Sequence, residues 1–443
     1  MATPLPILED EVARAAAAAT EGRARLARGE HLDAPSPLDR HRRASSRATW
    51  IELGESTDPL AAPLRPWVAK LTLERVLWAD HARLAAAWRA PSIFVEESGV
   101  TPFVASPRDL LRRVLADAEA GRRRVFADAL ARGGAPVADA ARMLAERRAE
   151  ATRLLGAGAD AGEMPCEPRT AITDVAARVL AETAAFAPPP RGSWADALAD
   201  AIGRSATEGW PARLSARWLF DLFHRGPLLE GLRLDPGPLP DALGAASFAR
   251  ALAAFGAALA DADGPRSAPF ALARSPFDLR RARRASLFGS LAAEPVFGAR
   301  ALGLGRDRAR DQARAVARSL VLSLRLDAAR VLLGGVLLLP ERPRSARFEE
   351  TTAAALGAPI PPALAGVVPR LGLPDAARLA GALLAARDRR DLVERFDEDW
   401  FASPHAARGL REEDSIVPAS HVAPAAALEA GLAALVRALS DLG

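Results

Sequence analysis

The sequence predicts an all-α protein, a large multi-helix body built around a substantial core. Apolar residues recur at helical spacing from one end of the chain to the other, whereas alternating runs of β-branched residues are almost absent. Alanine, leucine and arginine dominate the sequence and are among the best helix formers. With 443 residues, 50% of them hydrophobic, the chain is long enough to bury such a core.

The helical pattern divides into long segments separated by short breaks. One segment has a clear start, because Ser106 precedes Pro107 and Asp109 follows three residues after the serine. The residues 275–278 repeat this arrangement of serine, proline and aspartate. The predicted helices span residues 5–28, 64–90, 107–132, 136–156, 169–186, 193–206, 211–224, 244–262, 276–293, 306–339, 373–396 and 424–442.

Segments rich in proline and glycine mark the breaks between these helices. They lie at residues 156–168, 187–192, 234–240 and 357–362. The first of them predicts a division into an N-terminal helical subdomain, residues 1–160, and a C-terminal helical subdomain, residues 161–443. No fixed repeat period emerges, so a helical repeat array is not predicted.

The charge and composition say little about binding partners. The sequence pI of about 10.4 suggests a nucleic-acid binder, yet the net charge is only +4. Lys70 is the single lysine and tyrosine is absent, so few groups titrate between histidine and arginine. The chain also has no asparagine and one glutamine, Gln312, which is typical of a GC-rich bacterial genome.

The sequence predicts a soluble, cytoplasmic protein. Cys166 is the single cysteine, so neither an intramolecular disulfide nor a cysteine-built metal site can form. Acidic residues at positions 9–11 occupy the place where a secretory signal would be basic. The most apolar segment, residues 320–339, contains Arg325, Asp327 and Arg330, which favours a buried helix over a membrane span.

Familiar catalytic motifs are missing from the sequence. No two histidines have the HExxH spacing of helical zinc peptidases, and no GxSxG nucleophile elbow occurs. Lys70 lacks the glycines of a phosphate-binding P-loop, and no predicted strand precedes Gly303 and Gly305 as a dinucleotide site would require.

One predicted helix carries candidate catalytic residues. In segment 64–90, Glu74 and His81 project from an apolar arc that should face the core. A buried carboxylate must be paired, protonated or in a lined cavity, so Glu74 and His81 are catalytic candidates. The alternative is structural: Lys70 pairs with Glu74, and His81 is a satisfied core residue. The apolar arc consists of Trp67, Leu71, Leu77, Trp78, Leu84 and Trp88.

A second helix carries candidate metal ligands. Asp221 and His224 have the i,i+3 spacing that contributes one half of a di-metal site in helical bundles. Together with Glu74 and His81 they define an alternative hypothesis, a helical metal-dependent enzyme whose cofactor the sequence leaves unknown.

Arginine clusters at residues 122–124 and 280–284 are a feature that nucleic-acid-binding surfaces share. Most arginines, however, have an acidic residue three or four positions away, as in segment 306–314. This pattern indicates salt-bridged helix faces and argues against a nucleic-acid partner.

The segment 395–410 concentrates acids, aromatics and a histidine. We expect Trp400 and Phe401 to fill the core while the acids at 397–399 pair with arginines. The alternative is an acidic pocket beside His405. Ser403 and Pro404 should begin the next helix.

The succession of long amphipathic helices in the C-terminal third is loosely similar to the helical zinc oligopeptidases. Without an HExxH motif no catalytic residue carries over, so the resemblance implies an inactive relative paired with an active partner. The sequence thus favours a soluble protein-interaction or scaffold protein without its own catalytic centre, whose partner is another protein or a second copy. The metal-dependent enzyme is the alternative.

Overall fold

The structure, a computed structural model, confirms the all-α fold in the residues that it describes. Nineteen α-helices fill this part of the chain, and its strands are four segments of two or three residues. Among the described helices, none combines the length and the apolarity needed to cross a bilayer. The described residues are 4–30, 33–96, 101–156, 166–167, 169–187, 192–202, 214–226, 245–262, 268–277, 279–368, 374–416 and 423–442.

The N-terminal helices are more broken than the sequence predicts. Segment 64–90 forms two helices, because the backbone at Leu77 (φ −92°, ψ 5°) leaves the helical conformation and lets the adjacent Leu77 and Trp78 both be buried. Segment 107–132 also divides, where Asp117 Oδ1 accepts a 2.9 Å hydrogen bond from the Glu119 backbone. The helices are α1 (Leu5–Arg28), α2 (Arg47–Glu55), α3 (Ala61–Val76), α4 (Trp78–Arg89), α5 (Pro107–Ala116), α6 (Ala120–Gly133) and α7 (Ala135–Leu155), with a 3₁₀ helix at Pro37–Arg40.

The central helices largely follow the predicted segments. The start predicted at residues 275–278 is wrong: Ser275 Oγ accepts a hydrogen bond from Phe277 N (3.2 Å), which closes a turn, and the helix begins at Leu279. The helices are α8 (Arg169–Glu182), α9 (Trp194–Ile202), α10 (Ala216–Arg225), α11 (Ala245–Ala262), α12 (Phe270–Ala273), α13 (Leu279–Ser290) and α14 (Pro295–Arg300), with 3₁₀ helices at Ala184–Phe186 and Leu291–Ala293.

The C-terminal helices include one that the sequence analysis missed. The predicted helix 306–339 ends at Leu332, before Gly335 takes a left-handed conformation (φ +78°). A new helix then starts after Pro340, because Pro343 lies in its first turn, where no backbone N–H is needed. The helices are α15 (Arg306–Leu332), α16 (Glu341–Leu356), α17 (Pro374–Phe396), α18 (Pro404–Ile416) and α19 (Ala425–Leu442), with 3₁₀ helices at Val336–Leu338, Pro362–Leu364 and Trp400–Ala402.

Four helices, α11, α13, α17 and α19, pack side by side at very short range. Glycines make this approach possible, since a side chain on Gly256 of α11 would overlap the carbonyl oxygen of Arg284 on α13. A Cβ on Gly381 of α17 would lie 2.7 Å from Ala282 of α13, and one on Gly431 of α19 would overlap the backbone of Leu383 on α17. The row is therefore fixed by backbone contact as well as by side chains.

The buried apolar side chains form three large clusters. One joins residues of 93–201 to residues of 279–432, a second joins 214–316 to 385–410, and a third lies within 8–71 with Ala271. The predicted division at residue 160 stays a prediction, because residues 157–165 lie outside the described part of the chain.

The strands form two small sheets. Strand β1 (Ile93–Val95) pairs antiparallel with β2 (Phe103–Ala105), and β3 (Cys166–Glu167) pairs in parallel with β4 (Ala423–Pro424). The first sheet is a hairpin on the surface of the helical body, in contact with α6.

Candidate functional site

Glu74 and His81 lie on different helices. The break at Leu77 leaves Glu74 near the end of α3 and His81 in the first turn of α4. Glu74 is partly buried, with 13% of its side chain exposed, and forms an ion pair with Arg23 of α1. This partner is distant in sequence and was not predicted.

The predicted structural partner of Glu74, Lys70, has other contacts. Its ammonium donates a 2.6 Å hydrogen bond to the carbonyl oxygen of Pro276 and lies 5.5 Å from the centre of the Trp67 ring. His81 is buried, 8% exposed, next to the buried Asp80. The role of Glu74 and His81 as catalytic residues stays a prediction.

The candidate metal ligands fall on α10. Asp221 is exposed, whereas the side chain of His224 lies outside the described part of the chain. Within the described residues, no three side chains of histidine, cysteine, aspartate or glutamate come together in a way that could hold a metal ion. The assignment of Asp221 and His224 as metal ligands therefore stays a prediction.

An open groove of about 580 Å³ runs beside α4, but neither Glu74 nor His81 lines it. One wall is the segment 33–39, which is held in place by the 3.0 Å hydrogen bond from Trp78 Nε1 to Ala34 O. Its charged lining residues have both signs, and Arg75 is tied to the Ser45 carbonyl oxygen (Nε–O 3.1 Å). The groove offers no converging set of acids and imidazoles.

The segment 395–410 forms a turn with Trp400 in the core, as we expected, and Asp399 pairs with an arginine, whereas Asp397 and Glu398 are exposed. Trp400 is buried and its ring packs edge-on against Phe401, which in turn packs against Phe297 at a centroid distance of 5.1 Å. Asp399 forms an ion pair with Arg300, which offsets its charge at the end of α17. His405 is exposed at the start of α18.

The predicted entry into α18 is confirmed. The Ser403 hydroxyl accepts a hydrogen bond from Ala406 N (3.3 Å), and Pro404 is the first helical residue. Before this turn, Asp397 takes a left-handed backbone conformation (φ +65°), which aspartate tolerates better than most residues.

Four buried aspartates occur among the described residues, and each lies beside two arginines. Asp196, for example, lies 2.6 Å from Arg123 and 3.2 Å from Arg124. A buried carboxylate with no partner would be costly, so these pairs are structural requirements of the core. The others are Asp80 with Arg83 and Arg147, Asp327 with Arg330 and Arg378, and Asp388 with Arg283 and Arg387.

Asp327 of α15 lies between two arginines. Burial raises the pKa of the Asp327 carboxyl, while the neighbouring Arg378 and Arg330 act in the opposite direction. The ion pairs at 2.7 Å (Arg330) and 3.3 Å (Arg378) thus offset only part of the cost of removing this group from water.

Arg325 is buried in the same helix and binds the C-terminal ends of two others. Its Nη1 donates to Leu180 O of α8 (2.6 Å) and to Thr183 Oγ1 (2.8 Å), and its Nε donates to Ala355 O of α16 (3.0 Å). Its Nη2 also donates to Ala354 O. Burial lowers the pKa of this guanidinium, and the negative ends of two helices stabilise its charge.

The arginines of the two clusters that suggested a nucleic-acid partner make contacts within the protein. Arg123 and Arg124 bind Asp196, and Arg280 Nη2 donates to Ala260 O at the end of α11 (2.7 Å). Arg283 binds Asp388, and Arg284, fully buried, donates to Leu410 O (3.0 Å). In segment 306–314 the ion pairing is weaker, with Arg314 lying 3.9 Å from Asp311.

The hairpin of β1 and β2 was not predicted, and its outer face exposes two apolar side chains. Phe94 and Val104 lie directly opposite each other and are 56% and 57% exposed. On the other side of the hairpin, Ile93, Val95 and Ala105 are buried in the main core cluster. Two short apolar runs on either side of Gly99 were the available signal, but strands of three residues give little periodicity.

The chain matches none of the models of known protein families and none of the curated proteins with which it was compared. The likeness to helical zinc oligopeptidases therefore rests on helical texture alone, and no residue is assigned a role from it.

Proposed function

We propose that the protein acts by binding another protein chain, or a second copy of itself, and that it has no catalytic centre of its own. The observation that carries the proposal is the outer face of the hairpin. Phe94 and Val104 stand side by side in adjacent strands, and both are more than half exposed. We call this pair the hairpin face.

A rigid support makes the hairpin face suitable for binding. Ile93, Val95 and Ala105 anchor both strands in the core, so little conformational entropy is lost when a partner covers the outer side chains. Apolar surface gains about 25 cal/mol per Å² when it leaves water, and aromatic side chains are frequent anchors of protein interfaces. The buried carboxylates are committed to arginines, which further favours a surface function over chemistry in the interior.

The proposal also includes a scaffold role for the protein and a location in the cytoplasm of a bacterium. They rest on the single cysteine, on the absence of asparagine and on the abundance of exposed helix surface. On the resemblance to helical zinc oligopeptidases, the partner is an active enzyme of that kind.

Site-specific photo-crosslinking tests the proposal. A photoreactive phenylalanine analogue in place of Phe94 should give a discrete adduct with a second protein chain in cells that make the protein. The matched control carries the analogue in place of Leu338, which is also exposed (48%) but belongs to a 3₁₀ helix and not to the hairpin. Absence of any adduct from position 94, or the same adducts from both positions, would contradict the proposal.

The metal-dependent enzyme makes a different prediction. If Glu74, His81, Asp221 and His224 hold an ion, the purified protein should contain about one equivalent of iron, manganese or zinc per chain. The His224→Ala variant should then lose it.

A further inference from the structure

The open groove beside α4 carries charges of opposite sign on its two walls. Its acidic lining residues, Asp33 and Asp39, both belong to the segment 33–39 that forms one wall. Its arginines, Arg75 and Arg83, both belong to the other wall, which consists of the end of α3 and of α4. Among the described residues neither aspartate forms an ion pair. Opposite charges therefore line the same groove without meeting.

The arginine wall keeps part of its charge uncompensated. Arg75 Nε donates its 3.1 Å hydrogen bond to the carbonyl oxygen of Ser45, which carries no net charge. Arg83 lies 3.0 Å from Asp80, but this carboxylate also lies 4.0 Å from Arg147, so two guanidinium groups share one negative charge. The side chain of Arg83 is 52% exposed. An anion that enters the groove would therefore find positive charge on this wall.

Most of the remaining lining of the groove is apolar. Val76, which is 46% exposed, and Ala79 are open to water at the junction of α3 and α4. Ala82 and Ala86 line the groove further along α4, at positions that share one side of the helix with Ala79. Apolar surface of this kind gains free energy when a ligand removes it from water. The groove thus offers an apolar contact between its two charged walls.

The groove has its shape before any ligand binds. Trp78 Nε1 of one wall donates a 3.0 Å hydrogen bond to Ala34 O of the other. Gly22 of α1 packs against both walls, since a Cβ at this position would lie 2.8 Å from Trp78 and 2.9 Å from Pro37. Little conformational entropy would be lost on binding. The volume of about 580 Å³ lies within the range of about 300–1,000 Å³ that is typical of small-molecule sites.

We propose that this groove binds a small zwitterion, a molecule whose ammonium and carboxylate groups stand at opposite ends of an apolar chain. The ammonium group would lie beside Asp33 and Asp39. The carboxylate would lie beside Arg75 and Arg83, whose planar guanidinium groups suit it. The apolar chain would cover Val76 and the alanines of α4. The inference goes beyond the proposed function, because it assigns a ligand site that is separate from the hairpin face.

A ligand with charge of one sign fits the groove less well. The two arginines would repel a cation, and the two aspartates would repel an anion. A nucleic acid is disfavoured for the same reason, because its phosphates need a basic face with few acids. A zwitterion satisfies both walls at once, and the opposite signs of the walls orient it in one direction.

Calorimetric titration of the purified full-length protein tests the inference. The probe is 8-aminooctanoate, in which an alkyl chain separates the ammonium group from the carboxylate. At neutral pH and low salt it should bind with a dissociation constant at or below about 1 mM. Octanoate and octylamine each lack one of the two charges and should bind at least about fivefold more weakly. The short zwitterion 4-aminobutanoate should also bind at least about fivefold more weakly, because it covers less apolar surface.

A double variant of the acidic wall locates the ammonium group. Asp33→Asn with Asp39→Asn should raise the dissociation constant of 8-aminooctanoate about five- to tenfold, because the neutral amides no longer attract a cation. The charge-matched control is Asp139→Asn with Asp311→Asn. Both of these aspartates are exposed and neither lines the groove, so this control should leave binding within about twofold.

A second variant fills the groove. Ala79 is exposed and lines the groove, so the indole of Ala79→Trp should occupy the space of the ligand and abolish binding. The matched control is Ala315→Trp on the exposed side of α15, which should bind 8-aminooctanoate within about twofold of the wild type. Far-UV circular dichroism and thermal melts check that all variants fold.

Several outcomes would overturn the inference: no binding of 8-aminooctanoate, equal binding of octanoate or octylamine, or unchanged binding in either groove variant. The same loss of binding in a control variant as in its groove counterpart would overturn it too. The titration does not depend on a partner protein. Binding of 8-aminooctanoate without photo-crosslinks at position 94 contradicts only the proposed function, and photo-crosslinks without binding of the zwitterion contradict only this inference.

Discussion

Arg325 holds three helices together, so its replacement should have a large and localised effect. Methionine is the most informative substitute, because it fills similar volume without a charge or a donor. In the Arg325→Met variant, the carbonyl oxygens of Leu180, Ala354 and Ala355 would remain in a dry interior without their guanidinium donor. These carbonyls belong to the last turns of α8 and α16, where no intrahelical donor replaces it.

The expected loss can be worked out from these contacts. A buried acceptor left without a donor costs about 1–3 kcal/mol, and three carbonyls are affected in the variant. Against this, the variant no longer has to remove a guanidinium from water, which costs several kcal/mol in the native protein. With about 2 kcal/mol for each carbonyl and about 3 kcal/mol for the guanidinium, the net destabilisation should be about 3 kcal/mol. Arg325→Lys keeps the charge but has a single ammonium, so it should recover only part of this loss.

The assay combines urea unfolding with hydrogen exchange. Far-UV circular dichroism should show a lower urea midpoint for Arg325→Met, and amides in the last turns of α8 and α16 should exchange faster than those of α1. Arg318→Met on the exposed side of the same helix is the control and should change stability by less than about 0.5 kcal/mol. An Arg325→Met variant with the wild-type midpoint and unchanged exchange at both helix ends would refute the reasoning.

Three further substitutions test the packing, the buried charges and a helix cap. Gly256→Ala should lower the free energy of unfolding in urea by about 2 kcal/mol or more, because the added Cβ would overlap the backbone of α13. The control is Gly409→Ala in α18, where no atom lies within 4 Å of the added Cβ, and it should raise the free energy of unfolding by about 0.5–1 kcal/mol. Equal effects of the two substitutions would contradict the packing described. Asp196→Asn should lower the free energy of unfolding, measured with heat or urea, by about 3 kcal/mol. Asp139→Asn is the control and should have almost no effect, because Asp139 is exposed. An Asp196→Asn variant of unchanged stability would show that Arg123 and Arg124 do not need this charge. Ser106→Ala should lower the free energy of unfolding in the same measurement by about 1 kcal/mol, because the serine hydroxyl accepts a 3.1 Å hydrogen bond from Asp109 N. An unchanged free energy of unfolding would mean that water replaces this cap.

The fold class and most helix positions could be predicted from the sequence because they depend on local patterns. The ends of α1 and α17 and the caps at Ser106 and Ser403 all follow from residues within one turn. The break at Leu77 could not be predicted, since it depends on the burial of two adjacent side chains against distant helices. Helix α16 was not predicted because Pro340 and Pro343 stand at its start, and the sequence alone does not distinguish prolines in a first helical turn from prolines that prevent a helix.

The candidate site was harder to predict for a related physical reason. The sequence correctly indicated that Trp400 is buried. It expected the arginine clusters to pair with acids three or four residues away, whereas Arg123 and Arg283 pair with buried aspartates that are distant in sequence. It could not identify which acid meets which arginine, as Glu74 and Arg23 illustrate, because such pairs are made by tertiary contacts. The hairpin face escaped notice because its strands are too short for an alternating pattern.

The central claim is that the protein works through a surface that binds another chain. Mass photometry of the protein isolated gently from cells that make it tests this claim most directly. We predict a particle larger than the 46.7 kDa of a single chain, and a particle of 46.7 kDa for the Phe94→Ser, Val104→Ser variant. A wild-type protein that is isolated only as a single chain, or a variant that keeps the larger mass, would contradict the account.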